Sequence, residues 1–265
     1  MAPRAKDDGR LRLHPRFPSR YLSTPRHIAV YLPPGYETSG ARYPVFYLQD
    51  GQNLFDPATA FGGHDWRADI TADDLIRRGG IEPLILAGIY NTGVRRISEY
   101  TPTRDPRLRK GGKADRYAQM LAREIKPFID QTYRTRKAAA DTAAGGSSMG
   151  ALAALVAGIV YPRVFGRLAL LSPSVWWDDR SILRLIEAWT PRRTRQRIWL
   201  DTGTAEGRSS AKVVQDARLL RDALAGKGWR ESADLHYEEA HGHAHNEQAW
   251  GERFGRVLEY LFPAR

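Results

Sequence analysis

The chain has 265 residues, 42% hydrophobic and 10% aromatic, enough for one large α/β domain with a sizeable core. It has no cysteine, which excludes disulfides, thiolate nucleophiles and cysteine metal sites, and no apolar run long enough to cross a bilayer. The formal charge of +11 comes mostly from arginines scattered along the chain, with short clusters such as Arg192-Arg193-Thr194-Arg195; with no nucleic-acid motif beside them, solvated basic faces are favoured over a nucleic-acid partner.

Met1 to Arg20 is rich in Arg and Pro and lacks the apolar core of a signal peptide, so residues 1–20 are expected to be poorly ordered. Cytoplasmic residence is then the default, and 21–265 reads as a single domain. From Arg26 an apolar alternation reads as a strand ending at Pro33-Pro34-Gly35. Pro44 to Gln49 is a continuous apolar run, as in a strand buried on both faces, and it stops at Asp50-Gly51-Gln52-Asn53. Ile70 to Arg78 reads as a short helix closed by Gly79-Gly80, and Leu84 to Tyr90 as another buried strand.

The polar stretch Asn91 to Gly112 is expected to lie over the sheet edge. Tyr117, Leu121, Ile125, Phe128 and Ile129 recur at helical spacing. Asp141 to Ala144 reads as a strand, and Ala151 to Ala157 as a helix of good formers. Leu168 to Leu171 and Ile198 to Asp201 are further strands, with Ser174 to Pro191 between them as a loop holding a short helix. Val213 to Leu224 forms a helix, Leu235 and Tyr237 lie in the last strand, and Trp250 to Leu261 stripes the final helix. Strands alternating with helices predict an α/β fold, with a mostly parallel central sheet flanked by helices on both faces. In such sheets the chemistry gathers at the carboxyl ends of the strands, which here hold Asp50-Gly51-Gln52, Ser148, Ser172, Asp201 to Glu206 and the histidines after Tyr237.

Gly146-Ser147-Ser148-Met149-Gly150 sits between a strand and a helix and contains G-x-S-x-G. A turn that tight needs small residues two before and two after the serine, and it lifts the hydroxyl clear of the backbone. Taken alone the motif is weak, since Ser148 also suits a helix cap. A serine hydroxyl needs a base, and the base needs an orienting acid. Asp201 and Glu206 follow Ser148 after one strand, and His241, His243 and His245 follow the last strand. Ser, then acid, then His is the chain order of α/β hydrolases. A metal site at the three histidines is the weaker alternative, given Gly242 and no companion acidic set. One oxyanion donor falls on the backbone N–H of Met149, and a second on the loop after Asp50-Gly51. Trp66, Trp176 and Trp177 are candidates to line a substrate pocket.

These pieces resemble the esterase family of α/β hydrolases that includes enterochelin esterases, feruloyl esterases and mycolyltransferases. The resemblance runs through Tyr31-Leu32-Pro33-Pro34-Gly35-Tyr36, Tyr47 to Asp56, Arg96 to Pro102, the Ser148 motif, Leu171-Ser172-Pro173-Ser174-Val175-Trp176-Trp177, Asp201 to Glu206, and His245 to Trp250. Only about the first twenty residues fall outside it. The resemblance implies an α/β-hydrolase fold and a small-molecule ester substrate, with no cofactor required; no metal, no nucleic acid and no membrane are expected from the residue pattern and composition above. It implies Glu206 rather than Asp201 as the acid, His245 as the base, and Gln52 as the second oxyanion donor. Acyl transfer to an alcohol through the same residues is an alternative, as is a carbohydrate- or siderophore-binding protein with a vestigial site.

Overall fold

The computed structural model describes residues 10–190, 196–231 and 233–264. The arginine cluster at 192–195 lies outside the described residues. In chain order the elements are β1 (Leu11–Phe17), β2 (Arg26–Tyr31), β3 (Val45–Gln49), α1 (Ala68–Arg77), β4 (Ile85–Ile89), α2 (Arg96–Tyr100), β5 (Arg104–Asp105) and β6 (Lys110–Gly111). They continue with α3 (Ala114–Met120), α4 (Lys126–Thr132), β7 (Thr142–Ser147), α5 (Met149–Val160), β8 (Arg167–Leu171), α6 (Trp177–Ala188), β9 (Arg197–Gly203), α7 (Ser210–Gly226), β10 (Leu235–Ala240) and α8 (Glu247–Leu261).

Eight strands form one sheet in the order β1-β2-β4-β3-β7-β8-β9-β10. All neighbours from β4 to β10 run parallel, and β1 and β2 are antiparallel additions at one edge. The side-chain period of two divides each central strand between two cores. Val45 and Tyr47 of β3 join one cluster with Leu152, Leu155, Trp177 and Leu220. Phe46 and Leu48 join the other, with Leu75 on one helix and Trp250, Phe254 and Leu258 on another. Helices therefore cover both faces, α1 and α8 on one side and α3 to α7 on the other. This is the mostly parallel, doubly covered sheet the sequence predicts. Among the described residues no helix is long and apolar enough to cross a membrane.

Three expectations change. Residues 11–17, within the segment expected to be poorly ordered, form the edge strand β1, paired through Leu11↔Tyr31 to His14↔Ile28. An edge strand exposes one side and tolerates Pro15 at an irregularity, so its polar, proline-containing composition is compatible with pairing. Arg10 ties its start to α1 through two 2.7 Å bonds to the Asp73 carboxylate. Residues 91–112 form α2 and the β5–β6 hairpin beside the strand ends rather than over the sheet edge, since Arg96 reaches Asp50 just past β3. The loop after β8 is mostly helix: α6 has twelve residues and opens through three left-handed ones, Asp178, Asp179 and Arg180.

Candidate active site

Ser148 stands where β7, in the interior of the sheet, turns sharply into α5. Its backbone adopts φ 57°, ψ −123°, a strained conformation for a residue with a side chain. The turn closes only because its flanks are small. A Cβ on Gly146 would lie 3.0 Å from Gln49 Cβ, and one on Gly150 would lie 3.1 Å from that atom and 3.3 Å from Asp50 Oδ2. The Ser148 N–H donates to Leu171 O at 2.9 Å, tying the turn to the end of β8. Met149 is the first residue of α5, so its N–H has no acceptor within the helix.

The structure brings His245 and Glu206 to this serine. His245 lies just before α8, whose start is fixed by Asn246 capping Ala249 N–H at 2.9 Å. Its Nε2 is 3.0 Å from Ser148 Oγ, and its Nδ1 is 2.7 Å from Glu206 Oε2. Glu206 Oε1 accepts the Gly203 N–H at 2.7 Å and meets Ser172 Oγ at 2.5 Å. Ser172 Oγ also faces Trp250 Nε1 at 3.0 Å and Arg253 Nη2 at 2.9 Å, both of which can only donate. The single Ser172 proton therefore goes to Glu206. With Oε1 accepting from both Ser172 and Gly203, Glu206 is placed as a carboxylate that can only accept, so His245 Nδ1 turns a proton towards it; Nε2 accepts from Ser148 when the imidazole is neutral. Burial pushes the Glu206 carboxyl up, but the bonds from His245 and Ser172, the charge His245 carries when protonated, and the Gly203 N–H outweigh it and hold it below the ordinary value.

Asp201 does not reach His245. Fully buried, it accepts Trp199 Nε1 at 2.8 Å, Arg253 Nη2 at 3.0 Å and the Ser172 N–H at 3.2 Å. Burial pushes its carboxyl up against the opposing pull of Arg253. His243 turns away from the serine, its Nδ1 3.4 Å from Ala249 O and 3.8 Å from Glu252.

Gln52 lies in the 3-10 turn Gly51–Asn53 that follows β3. Gly51 backs onto the sheet so closely that a Cβ there would sit 2.3 Å from the Gly88 carbonyl carbon. Asp50, left-handed at φ 57°, is gripped by Arg96 Nε at 2.8 Å, Arg96 Nη2 at 2.7 Å and Asn91 Nδ2 at 2.7 Å. Asn53 Nδ2 donates to Glu247 Oε1 at 2.9 Å, joining this turn to the helix that begins after His245. The three tryptophans behave differently from one another. Trp66 is core, packed on Trp250 and Phe254, and also borders a cleft of about 850 Å³ beside α1 and α8 whose lining includes neither Ser148 nor His245. Trp177 is core too, its Nε1 donating to Thr103 O at 3.0 Å, so neither fits the pocket-lining expectation at Ser148. Trp176 is exposed at 47%.

Sequence reasoning placed Ser172 among the strand-end candidates without a role, and missed three supports of the site: Arg253, Arg96 as the clamp on Asp50, and Ser174, whose Oγ lies 3.0 Å from Ser148 Oγ. Ser172, Ser174 and Arg96 all fall inside the segments that carry the resemblance, which was the available signal.

Among curated proteins, the chain is 24% identical over 253 residues to the uncharacterised protein YbbA of Bacillus subtilis (strain 168), spanning 92% of this chain and 95% of that one. It is 35% identical over 168 residues to the siderophore enterobactin esterase of Emericella nidulans, spanning 56% of this chain and 51% of that protein. Among solved structures, the BES protein from Bacillus cereus superposes with a TM-score of 0.76 at 19% identity, covering 99% and 98% of the two chains. An IroE-like serine hydrolase from Shewanella oneidensis gives a TM-score of 0.75 at 23% identity, covering 95% and 80%. These two likenesses establish a shared fold. The family model described as "Putative esterase" matches residues 19–261, nearly the whole described chain, and the protein belongs to that esterase family.

Proposed function

We propose that the protein hydrolyses carboxylic esters of small molecules through an acyl-serine intermediate, with Ser148 as nucleophile, His245 as base and acid, and Glu206 as the acid that orients it. The observation that carries this reading is one hydrogen-bonded line, Glu206 Oε2 to His245 Nδ1 at 2.7 Å and His245 Nε2 to Ser148 Oγ at 3.0 Å, ending on a strained strand-to-helix turn. Family membership and relatives named as enterobactin, triacetylfusarinine C and feruloyl esterases support a carboxylic ester as substrate.

Ser148 Oγ attacks the ester carbonyl carbon while its proton passes to His245 Nε2. The resulting imidazolium is stabilised by the Glu206 carboxylate. The oxyanion is received by the N–H groups of Met149 and Gln52, the first at the positive end of α5. As the intermediate collapses, the carbon–alkoxy bond breaks and the alcohol leaves with the proton from Nε2. Water then repeats the sequence on the acyl-enzyme and frees the acid. Side chains and backbone suffice for every step.

Ser148→Ala tests the proposal with p-nitrophenyl acetate. A folded Ser148→Ala protein should lose roughly four to six decades of kcat. Turnover near the parent rate in that variant would overturn the serine mechanism.

A further inference from the structure

The proton directions fixed at Glu206 extend past the nucleophile to a second serine. In the neutral imidazole that the proposed mechanism requires, His245 Nε2 accepts, so the only proton on Ser148 points at it. Ser174 Oγ lies 3.0 Å from Ser148 Oγ on another side, and with the Ser148 proton committed, Ser174 is the donor of that bond. We infer that Ser174 is a further catalytic residue, whose hydroxyl donates to Ser148 Oγ, aims its one free lone pair at the acyl carbon, and steadies the same oxygen when it leaves. The inference rests on the serine mechanism proposed above.

A serine oxygen has one proton and two lone pairs. The proton is held by His245 and one lone pair by Ser174, so a single lone pair is left to attack, and its direction is fixed before substrate arrives. In deacylation the roles reverse. Water attacks the acyl carbon and gives a proton to His245 Nε2, then the carbon–Oγ bond breaks and Nε2 returns that proton to Ser148 Oγ. During the break negative charge builds on Oγ, where the Ser174 hydroxyl already donates. Ser174 keeps its own proton throughout.

The residue is built in rather than adventitiously near. Ser174 is 2% exposed, its N–H donates to Ser148 O at 3.2 Å, and its carbonyl accepts the Trp177 N–H at 3.1 Å. Those backbone bonds hold the loop whatever the side chain is, so removing the hydroxyl tests chemistry rather than folding. Ser172, two residues earlier, donates to Glu206 at the opposite end of the line. One short loop after β8 thus supplies a donor to each end of the hydrogen-bonded line.

The test combines three variants with rapid-quench intact-mass measurement during p-nitrophenyl acetate turnover. Ser174→Ala should lower kcat by about ten- to a hundredfold, the worth of one hydrogen bond to a charged oxygen, without raising KM. Because leaving is impaired most, acetyl-enzyme should accumulate to a larger steady-state fraction than in the parent. Ser174→Thr, which restores a hydroxyl, should recover much of the loss. Ser174→Cys keeps the shape with a weaker donor and decides the matter if Ser174→Ala fails to fold, its expected behaviour being the same slowing and accumulation. Parent-like kcat in a folded Ala or Cys variant, or a slowing with no added acetyl-enzyme, would overturn the role of Ser174. The parent itself keeps the two readings apart: an alkyl fluorophosphonate should label its Ser148 and abolish turnover. Turnover that survives complete labelling there would instead overturn the serine mechanism.

Discussion

Glu206 and Asp201 are the two carboxylates at the end of β9, and their surroundings divide the work between them. Glu206 accepts three hydrogen bonds and faces the imidazole, whereas Asp201 neutralises Arg253, a guanidinium with no solvent exposure. In Glu206→Gln the amide nitrogen must confront a donor, whichever way it turns. His245 then loses its tautomer or its orientation, and kcat should fall by roughly three to four decades. Asp201→Asn leaves the buried Arg253 charge uncompensated and should cost about 3–5 kcal/mol of stability. Measuring kcat and the urea midpoint of both variants checks the division. An inactive but stable Asp201→Asn beside a near-normal Glu206→Gln would reverse it.

Among the elements, the 3-10 turn after β3 is the one on which most of the site leans. It carries Gln52, it is clamped through Asp50 by Arg96, and it is pressed onto β4 at Gly88. Gly51→Ala would push a methyl group into the Gly88 backbone, so the turn must move. Overpacking of this kind should cost about 1–3 kcal/mol, and kcat should fall with it because Gln52 is the adjacent residue. Parent-like midpoint and kcat together would contradict the close packing of this turn. Elements such as β3, β4 and β8 were legible in the sequence because strands buried on both faces read as unbroken apolar runs. β1 was not, since an edge strand with one face in solvent resembles a polar tail. The Ser148 turn, Glu206 and His245 were legible from chain order and from the family motifs. The bonds of Ser172 to Arg253 and Trp250 were not, because contacts across some eighty residues leave no local pattern.

For the molecule as a whole, the Arg10–Asp73 pair links the antiparallel edge to the helical layer and makes stability depend on pH. Burial alone would push the Asp73 carboxyl up, but bonds from Arg10 and Tyr31 and the charges of Arg10 and Arg77 outweigh it and hold it below the ordinary value. The folded protein therefore releases this proton at lower pH than the unfolded chain. The stability it contributes is present above the ordinary aspartate range near ~4, and is lost as pH falls through the lowered value. Asp73→Asn should lose roughly 1–3 kcal/mol at neutral pH, with a shallower acid dependence, by urea unfolding across a pH series. An unchanged slope would remove Asp73 from the acid response. The claim of ester hydrolysis through Ser148 is tested most directly by acid-quenching the parent with p-nitrophenyl acetate and mapping the modified peptide. The account predicts one acetyl group on Ser148, formed and lost at rates that match turnover, and none in Ser148→Ala. Full turnover with the acetyl group on another residue, or formed too slowly to carry the reaction, would contradict it.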